Sequence, residues 1–458
     1  MKKFKFFLAA VLLFSVSATL GAQTPKYVFY MIGDGMGINQ VYAAQAFNKS
    51  FGNGDVNMWT FPVRSYITTF SANSLVTDSS AAGTALASGV KINNNALGVD
   101  PDGNFPTTVA EYAKTKGFGA GVVTSVGVNH ATPGAFYGHS ASRNSYTEIA
   151  EQLIASKIDF AAGATFLTSR GTTPEQLIDK AREAGINVFC GKDEYKPVKG
   201  ERVIYLSNDL KASALPYAID HKEGDTELAD FTGAAIDYLY SNYRKGFFLM
   251  VEGGKIDSAC HANDAASTVQ EVLDFAKSID LALDFYRQHP NETLIIVTAD
   301  HETGGFTMGS GQYALMPQVL ASQKLSKDAL GVKIAELRRS KNDNVSWNEV
   351  KELFKAELGL WDTIPVSKRQ EAEFTGVYKT TILDNSAAMD ENLYSRNDFL
   401  TKTAVDYVNR SAMTTFSFGS HSGTPVPLFV IGVKAESFKD CRDNTDVPKT
   451  ILKLTRWK

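Results

Sequence analysis

Short apolar runs that alternate with helical segments constrain the fold of this chain more than any other feature. The runs 27–32, 247–251 and 294–297 are almost continuously apolar, which is typical of strands buried on both faces of a sheet. Helices are predicted at 107–116, 146–155, 174–185, 228–240 and 264–287, and further strands at 121–124 and 203–206. This alternation predicts an α/β fold, with a large, mostly parallel sheet and helices on both faces.

Two segments depart from the alternation. The last apolar run, 426–431, contains Pro427, whose missing N–H predicts an edge or irregular position. Residues 311–410 are rich in lysine and glutamate and have helical periodicity, with a capping box at Ser346 and Glu349 and a stop at Gly359. We expect this stretch to be a helical insertion that caps the sheet and shields a site, placed before the last site loop.

The N-terminus has the layout of a secretory signal peptide. Lys2, Lys3 and Lys5 precede the apolar run 6–14, and small residues follow as far as Ala22. The run is too short to span a membrane and no cysteine follows it, so a signal peptide at 1–22 is favoured over a membrane or lipoprotein anchor. The prediction is an exported protein, periplasmic or secreted, with no membrane span in the mature chain 23–458.

Composition narrows the class of protein. The chain has 458 residues, 44% hydrophobic and 21% charged, which is ordinary for a soluble enzyme with a large core. A net charge of −4 does not indicate binding to nucleic acid or to an anionic membrane surface. Cys190, Cys260 and Cys441 are too few and too scattered for a disulfide framework or a cysteine-based zinc site, and a single bridge among them is left open.

Carboxylates and imidazoles follow the predicted strands. Asp34 lies in a glycine-rich turn after the first run, and Asp300 and His301 follow the run at 294–297. Loops after the carboxyl ends of parallel strands form the crevice where sites are built. Taken alone, Asp34 could simply stabilise the turn in which it lies. A single Asp-His pair could likewise do no more than fix the conformation of a loop. Their recurrence after several strands favours a site, with these three residues as one set of metal ligands.

A second set of candidate ligands follows the strand at 247–251. Asp257 and His261 are four residues apart, which places a carboxylate and an imidazole on one face of a helical turn. Such a pair can ligate zinc, although the same spacing also describes an ordinary surface contact. His421, just before the last strand, is a candidate third ligand.

Ser79 is the candidate nucleophile. Its small neighbours predict the start of a helix, where free N–H groups and the helix dipole favour a phosphate-like anion. Ser79 could instead be only a helix N-cap. No base stands at a Ser-His-Asp spacing, whereas metal ligands are abundant, so a serine activated by metal is the interpretation favoured here.

The chain resembles the alkaline phosphatases, because a set of motifs occurs in the order found in that family. The motifs are Asp-Gly-Met-Gly at 34–37, Thr-Asp-Ser at 77–79, Ala-Thr-Pro at 131–133, Ser-Arg at 142–143, Val-Glu-Gly-Gly-Lys-Ile-Asp at 251–257, Thr-Ala-Asp-His at 298–301 and His-Ser-Gly at 421–423. The resemblance spans about 27–310 and 415–452. The stretch 311–410 falls where the family is most variable.

The resemblance implies a role for each matched residue. Ser79 would be the nucleophile, and Arg143 would clamp two phosphate oxygens; without the motif, Arg143 would be taken for a helix-surface residue. The zinc ion that activates Ser79 would be held by Asp34, Asp300 and His301. The zinc ion that stabilises the leaving oxygen and then delivers hydroxide would be held by Asp257, His261 and His421. A magnesium ion would be held by Asp34, Thr132 and Glu252.

The reaction implied by the resemblance is hydrolysis of small-molecule phosphate monoesters through a phosphoserine, with net retention at phosphorus and broad specificity. The family name implies an alkaline optimum. The natural substrate is left open, and a homodimer is possible because the family contains dimers and monomers.

Asp78, His130 and Ser258 are candidates for residues that contact the ligands or the phosphate. Relatives have Asp or His at the position of His130, so magnesium or zinc could fill the third site. Relatives often carry a basic or aromatic residue at the position of Ser258, where it touches phosphate or its waters. Without that second positive charge we expect faster phosphate release. A Ser258→Lys variant with unchanged product inhibition would count against this.

Other reactions and a non-catalytic protein remain as alternatives. Related enzymes on the same scaffold include phosphodiesterases, phosphomutases and sulfatases. Arg143 with Thr132 and Glu252 favours a monoesterase, and a serine at 79 lacks the cysteine that sulfatases require. A protein that only binds metal or phosphate would have no need of Ser79.

Overall fold

The computed structural model describes residues 24–309, 311 and 313–458, so the predicted signal peptide lies outside the described residues. The strands are β1 (Tyr27–Gly33), β2 (Val63–Ile67), β3 (Gly119–Thr124), β4 (Phe160–Gly163), β5 (Asn187–Cys190), β6 (Val203–Leu206), β7 (Phe247–Gly253), β8 (Thr293–Ala299), β9 (Glu302–Thr303), β10 (Thr307–Met308), β11 (Met389–Glu391), β12 (Arg396–Asp398), β13 (Thr414–Thr415), β14 (His421–Ser422) and β15 (Val426–Gly432). The helices are α1 (Ile38–Ser50), α2 (Ser79–Ser88), α3 (Val109–Thr115), α4 (Ala131–Gly134), α5 (Tyr146–Ala155), α6 (Pro174–Glu183), α7 (Leu228–Asn242), α8 (Lys255–His261), α9 (Ala265–Gln288), α10 (Lys327–Ser340), α11 (Trp347–Leu358), α12 (Lys368–Tyr378), α13 (Phe399–Ser411) and α14 (Asp446–Thr455).

One sheet dominates the described part of the chain. Its nine strands follow the order β2-β15-β8-β1-β7-β3-β4-β6-β5. Neighbouring strands from β8 to β5 are parallel, and β15 runs antiparallel to both of its neighbours, β2 and β8. The predicted fold class, a large and mostly parallel sheet, is confirmed.

Aromatic side chains cover both faces of the central strands. Successive strand residues point to opposite faces, so Phe29 and Phe247 pack on Phe285 of α9, each with ring centroids 5.5 Å apart. On the other face, Tyr30 and Phe248 pack on Phe136 at 6.1 and 5.9 Å. Each buried ring of this kind stabilises the fold by roughly 1.5–3 kcal/mol. Burial on both faces explains why β1, β7 and β8 are nearly continuous apolar runs.

Of the two positions predicted for Pro427, the edge of the sheet is wrong, because β15 lies one strand inside the edge. The N–H and C=O of one strand residue point to the same side, and the carbonyl of Pro427 accepts a hydrogen bond from Thr298 on the β8 side. The ladder with β8 begins only at Leu428. The N–H that proline lacks would also have pointed toward β8, so its absence removes no hydrogen bond to β2.

Between β10 and β13 the chain forms α10 to α13 and a small antiparallel hairpin, β11–β12. The described residues of this stretch contribute no strand to the large sheet. The capping box at Ser346 is confirmed: its Oγ accepts from the N–H of Glu349 at 3.3 Å, while Glu349 accepts from the N–H of Ser346 at 2.8 Å. The limits 311–410 stay a prediction.

The three thiols are free in the structure, with Cys260 and Cys441 buried and Cys190 half-buried. Among the helices of the described ranges, none combines the length and the apolar character needed to cross a bilayer.

Candidate metal centre

The carboxyl ends of three adjacent parallel strands carry the first acidic residues of the centre. Asp34 follows β1, Asp300 follows β8, and Glu252 is the last residue but one of β7. The strands are aligned so that their last residues lie side by side. Parallel strands therefore bring these carboxylates to one edge of the sheet, as the sequence predicted.

Ser79 is the first residue of α2 and is buried beside this edge. Its Oγ lies 3.2 Å from Nε2 of His301. The alternative that Ser79 is only an N-cap is wrong, because Asp78 is the cap and its carboxylate accepts from the N–H of Ala81 at 2.9 Å. With the cap supplied by its neighbour, the hydroxyl of Ser79 is free to face the centre.

The imidazoles of His261 and His421 lie side by side, with ring centroids 5.2 Å apart. The Nδ1 atoms of His261 and His421 lie 2.7 and 2.9 Å from the carbonyl oxygens of Gly419 and Thr77, which can only accept hydrogen bonds. Each Nδ1 therefore carries a proton, and in the neutral ring, the form that binds a metal ion, each Nε2 presents a lone pair. These Nε2 atoms are 3.2 Å apart, and Nε2 of His261 is 3.3 Å from Asp257. Lone pairs converging at this distance fit a shared cation.

The second cluster surrounds His301, whose Nε2 is 3.4 Å from one oxygen of Asp34 and one of Asp300. Asp34, Asp257 and His301 also offer ligand atoms within 4.8 Å of one another. The structure thus brings together the predicted set and adds Asp257, which lies between the two clusters.

A third cluster contains Asp34, His130 and Glu252, with ligand atoms within 4.8 Å of one another. Buried polar atoms here have no hydrogen-bond partner among the described residues, and such atoms are costly to bury. The atoms without a partner are Oδ1 and Oδ2 of Asp34, Oδ2 of Asp300, Oε1 of Glu252, Oγ1 of Thr132 and Nδ1 of His130. Oxygen-rich sets fit magnesium, and mixed imidazole and carboxylate sets fit zinc.

The electrostatics of the centre also favour cations. Burial, with repulsion from Asp300 and Asp257, raises the pKa of Asp34 well above its usual range. Burial raises the pKa of Asp300 to about 8 and that of Glu252 to about 7. Burial opposes the charge on Asp257 as well, but the nearby His261 outweighs it and the pKa of Asp257 is well below its usual range. Metal ions would let all four carboxylates ionise together.

Arg143 reaches the edge of the third cluster. Its guanidinium lies 3.5 Å from Asp78 and 3.3 Å from Nε2 of His130. Burial, together with the positive charge of Arg143, lowers the pKa of His130 to about 3, so this ring is neutral at neutral pH. The fork of Arg143 is therefore held beside the metal-ligand cluster, close to the serine that follows Asp78.

Comparison with known proteins agrees with this geometry. Residues 25–456 match the family model described as alkaline phosphatase. The chain belongs to the alkaline phosphatase family. It is 32% identical to alkaline phosphatase 4 of Bacillus subtilis (strain 168) over 450 residues, which cover 94% of this chain and 89% of that relative.

Solved alkaline phosphatases share the fold. A cold-active alkaline phosphatase from the psychrophile Shewanella sp. superposes with a TM-score of 0.78 at 28% identity, covering 94% of this chain and 99% of that one. A variant of the TAB5 alkaline phosphatase, described with Mg bound in its M3 site, gives a TM-score of 0.65 at 25% identity and covers 95% and 99%. The chain is a phosphoric monoester hydrolase.

A cavity of about 490 Å³ opens beside Arg143 in this alkaline phosphatase. Ser258 and Lys255 both line it, one turn apart on α8. The sequence predicted no second positive charge near Ser258. The structure corrects this, because Lys255 supplies a cation to the same cavity from a position three residues earlier.

Sequence reasoning missed Tyr394, which the 311–410 stretch brings to the metal centre. Its hydroxyl donates to Oδ2 of Asp257 at 3.0 Å, and its ring stands edge-on to His261 with centroids 5.3 Å apart. Tyr394 lies in the β11–β12 turn, where the side chain of Asn392 accepts from its N–H at 2.8 Å. Where the tip of this turn lies depends on the tertiary fold, which the local sequence does not contain.

Proposed function

We propose that this chain is an exported alkaline phosphatase that hydrolyses phosphate monoesters through a phosphoserine at Ser79. The observation that carries the proposal is the buried Oγ of Ser79, 3.2 Å from a ring nitrogen of His301 and at the N-terminus of α2. A serine in this position meets both a metal-ligand cluster and free helix N–H groups, which favour a phosphate group.

Three ligand sets would hold the metal ions. Asp34, Asp300 and His301 would hold one zinc ion, and Asp257, His261 and His421 would hold the other. Asp34, Thr132 and Glu252 would hold magnesium, with His130 close enough to join them. When bound, these ions would lower the pKa of the serine hydroxyl and of water, and would neutralise charge on the reacting oxygens.

The residues of the chain then act in two displacements. Oγ of Ser79 attacks phosphorus, the hydroxyl proton passes to solvent, and the alcohol leaves with a proton from solvent. Arg143 donates two N–H groups to the non-reacting oxygens and holds the phosphoryl group in line. Water then displaces Ser79 from the opposite side and frees phosphate. Two inversions give net retention at phosphorus.

The test is hydrolysis of an aryl phosphate at alkaline pH by the mature protein with zinc and magnesium, beside its Ser79→Ala variant. Ser88→Ala, at the far end of the same helix, is the matched control. We expect Ser79→Ala to lose about 10³-fold or more of kcat, and Ser88→Ala to keep its activity. Trapping with ³²P-labelled substrate at low pH should label the wild type but not Ser79→Ala.

Slow monoester turnover that is equal in all three proteins would contradict the proposal and direct attention to phosphodiesters. Export is inferred from the segment 1–22, and N-terminal sequencing of the protein recovered outside the cytoplasm should begin at residue 23.

A further inference from the structure

We propose that Lys255 binds a second anionic group on the substrate, so that the enzyme favours phosphate monoesters whose alcohol part carries a carboxylate or another phosphate. The inference rests on the proposed function, because Lys255 would act on a substrate whose phosphate is bound at Arg143.

Lys255 and the phosphate clamp share one cavity. Lys255 and Ser258 lie on the same face of α8, since residues three apart on a helix are neighbours. Both line the cavity of about 490 Å³ that also contacts Arg143 and His130. A cavity of this size accommodates a small molecule, and it starts at the group proposed to hold the phosphate.

The ammonium of Lys255 has unused donors. The residue is only 9% exposed, yet among the described residues its Nζ makes no hydrogen bond and no ion pair. The Nζ atom lies over the ring of Tyr217, 3.3 Å from the ring centroid. An ammonium carries three N–H donors, and a ring face does not satisfy them as an anion would.

The acidic groups near Lys255 accept hydrogen bonds from other donors. Burial lowers the pKa of the Lys255 ammonium, and the charges of Glu271, Asp328 and Asp220 oppose that shift. Each accepts a hydrogen bond from another donor: Glu271 from the N–H of Ala218 at 2.6 Å, Asp328 from Asn397 at 2.7 Å, and Asp220 from the N–H of Ser326 at 2.7 Å. None of these carboxylates is paired with Lys255 in the described part of the chain, so an anion entering the cavity would not have to displace one from the ammonium.

A ligand with two anionic groups fits this arrangement better than one with a single group. Its phosphate would lie at Arg143, and its second anion would accept hydrogen bonds from Lys255 in a partly desolvated cavity, where such contacts are strongest. A monoester with a neutral alcohol would leave these donors to water. The expected result is a preference that depends on the length of the linker between the two anions.

The experiment compares phosphonates, which bind but are not hydrolysed. Straight-chain phosphonates ending in a carboxylate, with two to four carbons, are titrated calorimetrically into the zinc- and magnesium-loaded enzyme beside alkylphosphonates of equal length. The variants are Lys255→Met, which keeps the apolar stem, and Lys255→Arg, which keeps the charge. Lys355→Met, on an exposed position of α11, is the matched control.

We expect at least one carboxylated ligand to bind wild type more tightly than its alkyl counterpart. Lys255→Met should weaken that ligand by about tenfold or more, the size of one hydrogen bond to a charged group. Alkylphosphonates and inorganic phosphate should change less than about twofold by the same measure. Lys255→Arg should keep most of the preference, and Lys355→Met all of it.

Other outcomes separate the two proposals. If wild type binds phosphate and turns over monoesters but shows no preference for carboxylated ligands, Lys255 has no such role and the proposed function stands. An equal loss for both ligand types in Lys255→Met would overturn the inference, because it indicates a general disturbance of the site. If wild type neither binds phosphate nor hydrolyses monoesters, the proposed function fails and the inference fails with it.

Discussion

Gly35 lies where the backbone passes close to Asp257, one of the proposed metal ligands. Its φ of +69° is in the left-handed region, and a Cβ built on it would sit 2.8 Å from Oδ1 of Asp257 and 2.9 Å from Oγ1 of Thr303. Asp257 contributes ligand atoms to two of the clusters, so a displacement of its carboxylate would affect both. Gly35, which lies between Asp34 and Met36, is therefore part of the site.

Gly35→Ala should weaken zinc retention by about tenfold or more, in the range seen when ligand support is lost. Gly52→Ala separates this effect from backbone strain, because Gly52 has a φ of +75° and no atom within 4 Å of its added Cβ. Both variants should lose about 1 kcal/mol from the left-handed conformation. Zinc measured after dialysis against a weak chelator checks the prediction. Equal zinc retention in the two variants would contradict it.

The residues of the metal centre were predictable to different degrees. Asp34 and Asp300 follow apolar runs, so their place at one sheet edge could be argued from strand physics alone. Arg143 could not, since only the match to a family motif distinguishes it from an ordinary surface arginine. The cation of Lys255 was overlooked, because its importance comes from the cavity that it shares with Ser258.

Among the elements, the β11–β12 hairpin links the 311–410 stretch to the metal centre. Its tip carries Tyr394, whose hydroxyl bonds Oδ2 of Asp257 while Thr303 bonds Oδ1 at 2.5 Å. Contacts that hold a ligand carboxylate in place tune metal affinity. The hairpin thus supports one of the carboxylates proposed as metal ligands.

Tyr394→Phe should weaken zinc binding and lower kcat/KM by about tenfold, because it removes one hydrogen bond to a charged ligand and keeps the ring. Tyr407→Phe is the matched control in the same stretch, since its hydroxyl donates to the carbonyl of Pro365 at 2.8 Å. Competition with a zinc-binding dye measures the affinity. A similar zinc affinity in Tyr394→Phe and wild type would show that the hydroxyl gives no support.

Long periodic elements were predicted well, and positions that depend on neighbours were not. The helix predicted at 264–287 is α9, and the one at 146–155 is α5, because each pattern contains its own period and ends. The helix at Ile38–Ser50 was missed, and Pro427 left open an edge position for β15 that the sheet does not have. A proline removes a hydrogen bond only if its missing N–H would have faced a paired strand. The local sequence does not contain the identity of the neighbouring strands.

For the whole molecule, the buried carboxylates set how metal-free stability depends on pH. Burial raises the pKa of Glu252 to about 7 and that of Asp300 to about 8, above the value of roughly 4 in an unfolded chain. The folded protein therefore holds these protons to higher pH. Their contribution to stability is complete below about pH 4 and is lost as the pH rises through 7 and 8.

The metal-free protein should accordingly unfold at lower denaturant concentration at pH 9 than at pH 6.5. The low pKa of His130, about 3, acts in the opposite direction but only below about pH 6.5, where unfolded histidine takes up protons. Urea unfolding after EDTA treatment measures the difference, and zinc with magnesium should remove it. Glu252→Gln should lessen the decline, and an unchanged decline in that variant would count against the assignment.

The proposed metal ligands come from both ends of the chain: Nδ1 of His421 donates to the carbonyl of Thr77, 344 positions earlier, at 2.9 Å. A growing polypeptide therefore carries the serine long before it carries the last imidazole of the centre. A chain that stops before residue 421 would therefore hold Ser79 beside an incomplete ligand set, and activity on the proposed route would have to wait for the C-terminal segment to fold against the N-terminal one.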